Sequence, residues 1–446
     1  METLQKKYGL WTATSMVVGV VIGSGVFFKA DDVLKMTNGN IYIALVAWIL
    51  GAMAMVFGAL VVSEFAQRIE KANGIVDYYE RAYGKRMGYL MGWFNGILYY
   101  SPLSAILAWI SATYTLVLFN VPQGNDSKAI WVIAFFYIVI VYAMNYLAPI
   151  LAGKLQVTTT IIKLIPLGLI AIVGTIFGLK NGVLLEGFIG GAREASNHMG
   201  SLSSAVVSTA FAFDGWISAV TINNEIKDAK KNLPRALVIG AIIVLIVYVS
   251  YFLGIVGVLG SSTIIELGDN AVNVASKALF GGPAGVLLSL FVVISCLGTL
   301  NGLIIACIRM PFSLAIRGQG PMPKLLSKVN KRTQMPTYSV IYSFALSCIY
   351  LFIWYGSLNN LFGRYIAIDE IPIVLIYGFY ILLHIWYMIH FRDLKPIRRY
   401  IIPILAIFGS SIIVYGGITN PSIGFYLIIS ITIILFGLLF YGEQNV

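Results

Sequence analysis

Apolar residues run through this chain in long blocks separated by short polar stretches, and the blocks outlast the helices of a soluble domain. Taking about twenty apolar residues as enough to cross a bilayer, the pattern predicts about twelve spans. They lie near 9–36, 40–66, 87–118, 130–149, 153–179, 201–224, 235–259, 283–316, 338–356, 360–389, 400–418 and 422–441. The connections 67–86, 225–234, 317–337 and 390–399 are polar, and some are expected to hold short interfacial helices. The fold class that follows is an all-α polytopic membrane protein.

Two spans carry residues that serve no purpose on a lipid-facing helix. The first contains Gly23, Ser24 and Gly25 in the run Gly19–Phe28, and the sixth contains Asp214 and Gly215 in the run Ala210–Trp216. Irregular backbone at membrane depth persists only where protein or a water-filled cavity satisfies its polar groups. Paired interruptions in two halves of a chain point to a transporter whose site lies between internal repeats. Five spans separate one interruption from the next, and five is odd, so the second repeat is inverted relative to the first. The organisation expected is a five-plus-five core, 1–180 and 181–390, followed by two extra helices in 391–446. This expectation rests on hydropathy and the paired breaks, because the halves share no residue-level identity.

Composition agrees with the pattern. Of 446 residues, 59% are hydrophobic and 11% charged, against about 25% charged in a soluble domain. The formal charge of +11 would suggest nucleic acid in a soluble protein, but here its placement matters more. With the N-terminus inside, 22 Lys and Arg fall on the cytoplasmic side, in the N-terminus, 67–86, Lys154, 225–235, 309–332 and 392–399. Six fall outside (Lys29, Lys35, Lys128, Lys180, Arg193 and Lys277), and Lys163 and Arg364 remain within spans. That bias puts both termini in the cytoplasm of a cell-membrane protein. The first apolar run lacks a small-residue cleavage site and is expected to be a retained span. Cys296, Cys307 and Cys348 all lie in apolar runs, as buried small hydrophobes would, with no metal-ligand spacing or disulfide framework.

A helix broken at mid-membrane has new ends. After Gly23-Ser24-Gly25 a second half-helix begins, and its unbonded N–H groups make an anion site suited to a carboxylate. Ser24 can add a hydroxyl, and the glycines let a ligand approach the backbone. Free carbonyls are expected at Val20, Val21 and Ile22, with more at the break spanning Phe211, Ala212 and Phe213, and these suit an ammonium group. A carboxylate beside an ammonium describes the α-carbon of an amino acid. Small residues that merely permit tight helix packing would explain one Gly-x-Gly; the second break favours a site.

Lys163 lies about ten residues into the fifth span, roughly 15 Å deep, where a lysine costs about 2.5–3.5 kcal/mol on insertion scales. Its ammonium can stand where a sodium ion would otherwise sit, against the carbonyls of the first half-helix. It can also lose its proton and carry a coupling proton. Lys154, nearer the edge, suits an ordinary anchor. Asp214 can attract a substrate ammonium, cap the second half of the sixth span or pair with a neighbouring donor; capping is the common chemistry of Asp at a helix start. Phe211 and Phe213 can form a lid or pack in the core, and Trp216 suits packing.

These motifs resemble the amino acid–polyamine–organocation (APC) superfamily. Gly23-Ser24-Gly25-Val26-Phe27 is similar to its G-[ST]-G-[IV]-F signature, and Phe211-Ala212-Phe213-Asp214-Gly215-Trp216 to the sixth-helix F-A-[FY]-x-G-W. Glu225–Ala236 resembles the E-x-x-x-P-x-[KR]-N-[IL]-P-R-A run, with Ala229 replacing Pro. Ser295–Gly302 and Arg317–Pro323 are similar to the L-amino-acid transporter (LAT) subfamily. The resemblance covers nearly the whole chain. It implies a LeuT-like fold with interrupted helices 1 and 6, and sodium-independent obligatory exchange of L-amino acids without a cofactor. It also implies that Lys163 matches a lysine replacing sodium and Phe211 an aromatic gate. Small neutral substrates (alanine, serine, cysteine and glycine) follow mainly from the resemblance. Asp214 departs from the Gly common there. Animal members carry a Cys between helices 3 and 4 that binds a heavy-chain glycoprotein; the loop Phe119–Ala129 has none, so no such partner is expected.

Two other classes fit poorly. A channel would need a selectivity filter, which no segment resembles. An intramembrane enzyme would need paired catalytic groups at depth, whereas His198, His384 and His390 sit in a loop or near span ends. No catalytic residue, metal site or nucleic-acid partner is expected.

Overall fold

The computed structural model describes residues 4–442 apart from 24, 70–72, 120, 122–127, 195–198, 364, 367, 369 and 419–422. Among the described residues, ten helices are long and apolar enough to cross a bilayer. The other two expected spans are broken: Leu10–Val21 gives way to Gly25–Met36, and Met199–Ala212 to the 3-10 helix Trp216–Glu225. Extended pairing in the described residues is limited to two isolated bridges, Tyr8 with Ile226 and Val329 with Pro336.

Helix Ala284–Ala315 is the central post. Its most apolar window is 83% buried, whereas that of Ile423–Phe440 is 17% buried, which places the last helix at the lipid-facing rim. Arg309, counted among the cytoplasmic-side charges at the end of the expected span 283–316, is 2% exposed within this post. Small side chains let other helices close on one another. A Cβ added at Gly254 would lie 2.2 Å from the Ile170 carbonyl oxygen, and one at Gly178 would lie 2.4 Å from the Gly257 Cα. Helices Pro149–Lys180 and Ala229–Leu259 therefore touch backbone to backbone.

The structure departs from the expected boundaries where length and hydropathy say little. Helices Val183–Glu194, Ser261–Leu267 and Ala271–Phe280 fill stretches outside the predicted spans, because each is too short to cross a membrane. The polar connections contain helix Gly74–Tyr83 and the short helix Pro323–Leu326. The tenth span starts late, at Glu370, after a turn in which Asn360 and Gly363 both have positive φ. Helix Lys85–Leu118 widens into a π-helical stretch at Asn95–Tyr100, a departure often found at functional sites. It turns Tyr99 and Tyr100 into the interior, where both are fully buried.

Candidate functional site

The first break is short. Leu10–Val21 ends on Ile22, at φ −77° and ψ 89°, and the next helix starts at Gly25. Breaking the ladder frees backbone carbonyls that must find donors inside the protein. Lys163 supplies them. Its three N–H donors are shared among four acceptors: the carbonyls of Gly19 at 2.9 Å, Ile22 at 2.5 Å and Ser295 at 3.0 Å, and Thr299 Oγ1 at 3.1 Å. All four acceptors are neutral, and Lys163 is fully buried. The Ser295 hydroxyl donates to the Gly23 carbonyl at 3.1 Å, and that of Thr299 to the Gly19 carbonyl at 2.9 Å. A cation from the fifth span and two hydroxyls from the eighth thus converge on one unwound turn.

The second break meets the first. Gly215 has φ +91°, and a Cβ there would lie 2.8 Å from Val20 Cγ1; glycine relieves both constraints. The Tyr248 hydroxyl, from helix Ala229–Leu259, donates to the carbonyls of Val21 at 3.0 Å and Ala212 at 3.1 Å. One side chain therefore ties the ends of both half-helices together. Phe213 is buried between Trp48 and Tyr248, with ring centroids 5.8 and 4.9 Å away, so it packs in the core. Trp216 is likewise buried, 5.5 Å from Tyr380.

Of the three roles open to Asp214, the structure shows pairing with a neighbouring donor. Tyr99 Oη donates to Asp214 Oδ2 at 2.6 Å, while Asp214 Oδ1 is buried without a hydrogen-bond partner. Gly215 turns the chain through a positive φ, and the carboxylate before it meets the phenol of the π-helical stretch.

Two supporting networks were not anticipated. A chain of buried amides runs from Asn145 to Asn301 (3.0 Å), Asn301 to Gln156 (2.8 Å) and Gln156 to the Ser15 carbonyl (3.2 Å), anchoring the first half-helix. At the end of the sixth span, Glu225 accepts from Arg309 Nε at 2.7 Å and Nη2 at 3.0 Å, and pairs with Lys7 at 2.7 Å. The N-terminal segment joins there through Lys7 and Tyr8 N–H groups, both 2.9 Å from the Glu225 carbonyl. Polar residues inside apolar runs were the available signal for Asn145, Gln156, Asn301 and Arg309.

The amino acid permease family pattern matches residues 8–440. The chain belongs to that family. This permease is 32% identical to the serine/threonine exchanger SteT of Bacillus subtilis (strain 168), over 99% of its own length and 98% of the relative's. It is 28% identical to the human b(0,+)-type amino acid transporter 1, over 98% of its own length and 88% of the relative's. With the human cystine/glutamate transporter it shares 26% identity, over 84% and 74%. The permease is thus an amino acid transporter of the APC superfamily and not an enzyme.

Among the expected site residues, Val20, Val21, Ile22, Gly23, Gly25, Ala212, Phe213, Asp214 and Lys163 belong to or adjoin the paired breaks. Ser24 and the Phe211 side chain lie outside the described residues. The carbonyls of Val21 and Ile22 were expected to be free, but they already accept from Tyr248, Lys163 and Thr299. A helix end in a low-dielectric interior recruits protein donors whether or not a ligand is bound.

Proposed function

We propose that the permease is a sodium-independent, obligatory exchanger of small neutral L-amino acids, alanine, serine, cysteine and glycine, working by alternating access. The observation that carries this reading is the Lys163 ammonium held by the Gly19, Ile22 and Ser295 carbonyls. A tethered cation fills an oxygen cage of the kind that a soluble sodium ion would otherwise occupy, so the break stays closed electrostatically without an ion gradient. The name of the Bacillus relative, a serine/threonine exchanger, supports both exchange and a small hydroxyl-bearing substrate.

In this reading the substrate carboxylate meets the N–H groups at Ser24 and Gly25 beside Gly23, whose own N–H donates to the Val21 carbonyl at 2.9 Å. The ammonium uses Val20 and the remaining carbonyl lone pairs of the break from Phe211 to Asp214, with Phe211 closing over it. The two breaks belong to inverted repeats, 1–180 and 181–390, with 391–446 outside the core. Both termini are cytoplasmic in a plasma membrane, as the basic connections favour, and no disulfide-linked heavy chain is required.

Proteoliposomes test the reading. Uptake of labelled alanine or serine should need internal amino acid and be unchanged when sodium is replaced by choline. Equal uptake into empty vesicles would rule out obligatory exchange, and uptake that follows an imposed pH gradient would establish proton-coupled symport instead. Ser24→Leu should abolish alanine binding; unchanged affinity would remove the carboxylate from that position.

A further inference from the structure

Away from the breaks, a cavity of about 520 Å³ opens where three elements meet. These are the elbow between helices Lys128–Leu147 and Pro149–Lys180, the N-terminal segment, and the loop at Arg332–Gln334. Three cations line it, Lys7, Lys154 and Arg332, and no carboxylate does. Lys7 is paired with Glu225. Lys154 and Arg332 are exposed and form no ion pair among the described residues. Thr333 adds a hydroxyl oxygen that is buried without a hydrogen-bond partner.

Gln5 and Gln334 add neutral amides, and the remaining lining, on the helix elbow, is apolar. Leu147 is 67% exposed, Ile150 61% and Leu151 56%, and they form an apolar rim at the elbow where one spanning helix ends and the next begins. Cations without a carboxylate select an anion, and the Arg332 fork and the lysine ammoniums suit phosphate oxygens. An aminated zwitterionic headgroup would find no counter-charge for its amine. The apolar rim distinguishes an amphiphile from a soluble anion.

We propose that this cavity holds the phosphate headgroup of an anionic phospholipid, with an acyl chain along Leu147, Ile150 and Leu151. Through Lys7 the headgroup borders the Glu225–Arg309 cluster at the end of the sixth span. The site stands independently of which amino acid is transported.

Native mass spectrometry of the full chain, presented with equal phosphatidylglycerol and phosphatidylcholine, tests it. The unaltered protein should retain phosphatidylglycerol in preference. The double variant Lys154→Gln, Arg332→Gln should cut that preference about thirtyfold, as two lost cation contacts imply. Lys230→Gln with Lys231→Gln removes the same charge from a different connection and should leave the preference intact. Equal retention by both double variants would overturn the site, with melting temperatures in detergent confirming that each variant is folded. Displacement of the lipid by millimolar glycerol 3-phosphate would overturn the acyl-chain half and identify a soluble anion site.

Discussion

The Lys163 ammonium lies 2.5 Å from the carbonyl oxygen of Ile22, the residue at which the first span stops being helical. The fifth span is thereby fastened to the unwound turn of the first. Because Ser295 and Thr299 reach the same turn from the central post, three spans share one cluster of oxygens around a single nitrogen.

Removing that nitrogen leaves a single Thr299 proton to serve both the Gly19 and the Ile22 carbonyl, and each buried carbonyl left unsatisfied costs about 1–3 kcal/mol. Lys163→Ala should therefore lower exchange in proteoliposomes at least about tenfold and reduce thermal stability in detergent by at least one such increment. Near-normal exchange would show that the lysine is dispensable for transport.

Tyr248 joins the two breaks through one hydroxyl. Tyr248→Phe keeps the ring against Trp48 and Phe213 but deletes the one proton shared between the two carbonyls, a loss of about 0.5–1.5 kcal/mol. Substrate affinity should fall, because the half-helix ends lose their common tie, while near-ultraviolet circular dichroism keeps its aromatic signature. Unaltered affinity would separate the tie from binding.

Asp214 can be resolved with a double-mutant cycle. Asp214→Asn retains an acceptor for the Tyr99 phenol and should be mild, whereas Asp214→Ala orphans it and should cost about 1–3 kcal/mol. Tyr99→Phe combined with Asp214→Ala should cost little more than Asp214→Ala alone. Fully additive losses would mean that the carboxylate acts through something other than Tyr99.

Glu225 carries the counter-charge for two buried or nearly buried cations. Glu225→Gln leaves Arg309 and Lys7 facing each other without it, and should destabilise the protein by about 3–5 kcal/mol, read as a lowered melting temperature in detergent. Glu225→Asp should recover part of that loss. Equal melting temperatures for all three proteins would mean that the cluster is solvated in the native state.

The spans and both breaks could be read from the chain because their signals are local. Apolar runs have a length threshold, and Gly23, Gly25 and Gly215 interrupt two of them. The donors that satisfy the breaks were not legible, because they arrive from distant spans: Tyr248 lies in the seventh, and Ser295 and Thr299 in the eighth. An apolar run containing a tyrosine or a serine has many neutral explanations until its neighbours are known. Lys163 could be read because a charge at depth is expensive wherever it faces. The role of Asp214 stayed open between three alternatives because the phenol it meets, Tyr99, arrives from a distant π-helical stretch. Helices Val183–Glu194 and Ala271–Phe280 escaped notice because neither crosses the membrane.

The glycine contact between helices Pro149–Lys180 and Ala229–Leu259 limits how the transporter can change shape. Interlocked backbones have no side-chain cushion over which to slide, so these two spans should travel as one plank. Spin labels on their outer faces should keep a constant separation through turnover, leaving the hinge to the half-helices themselves.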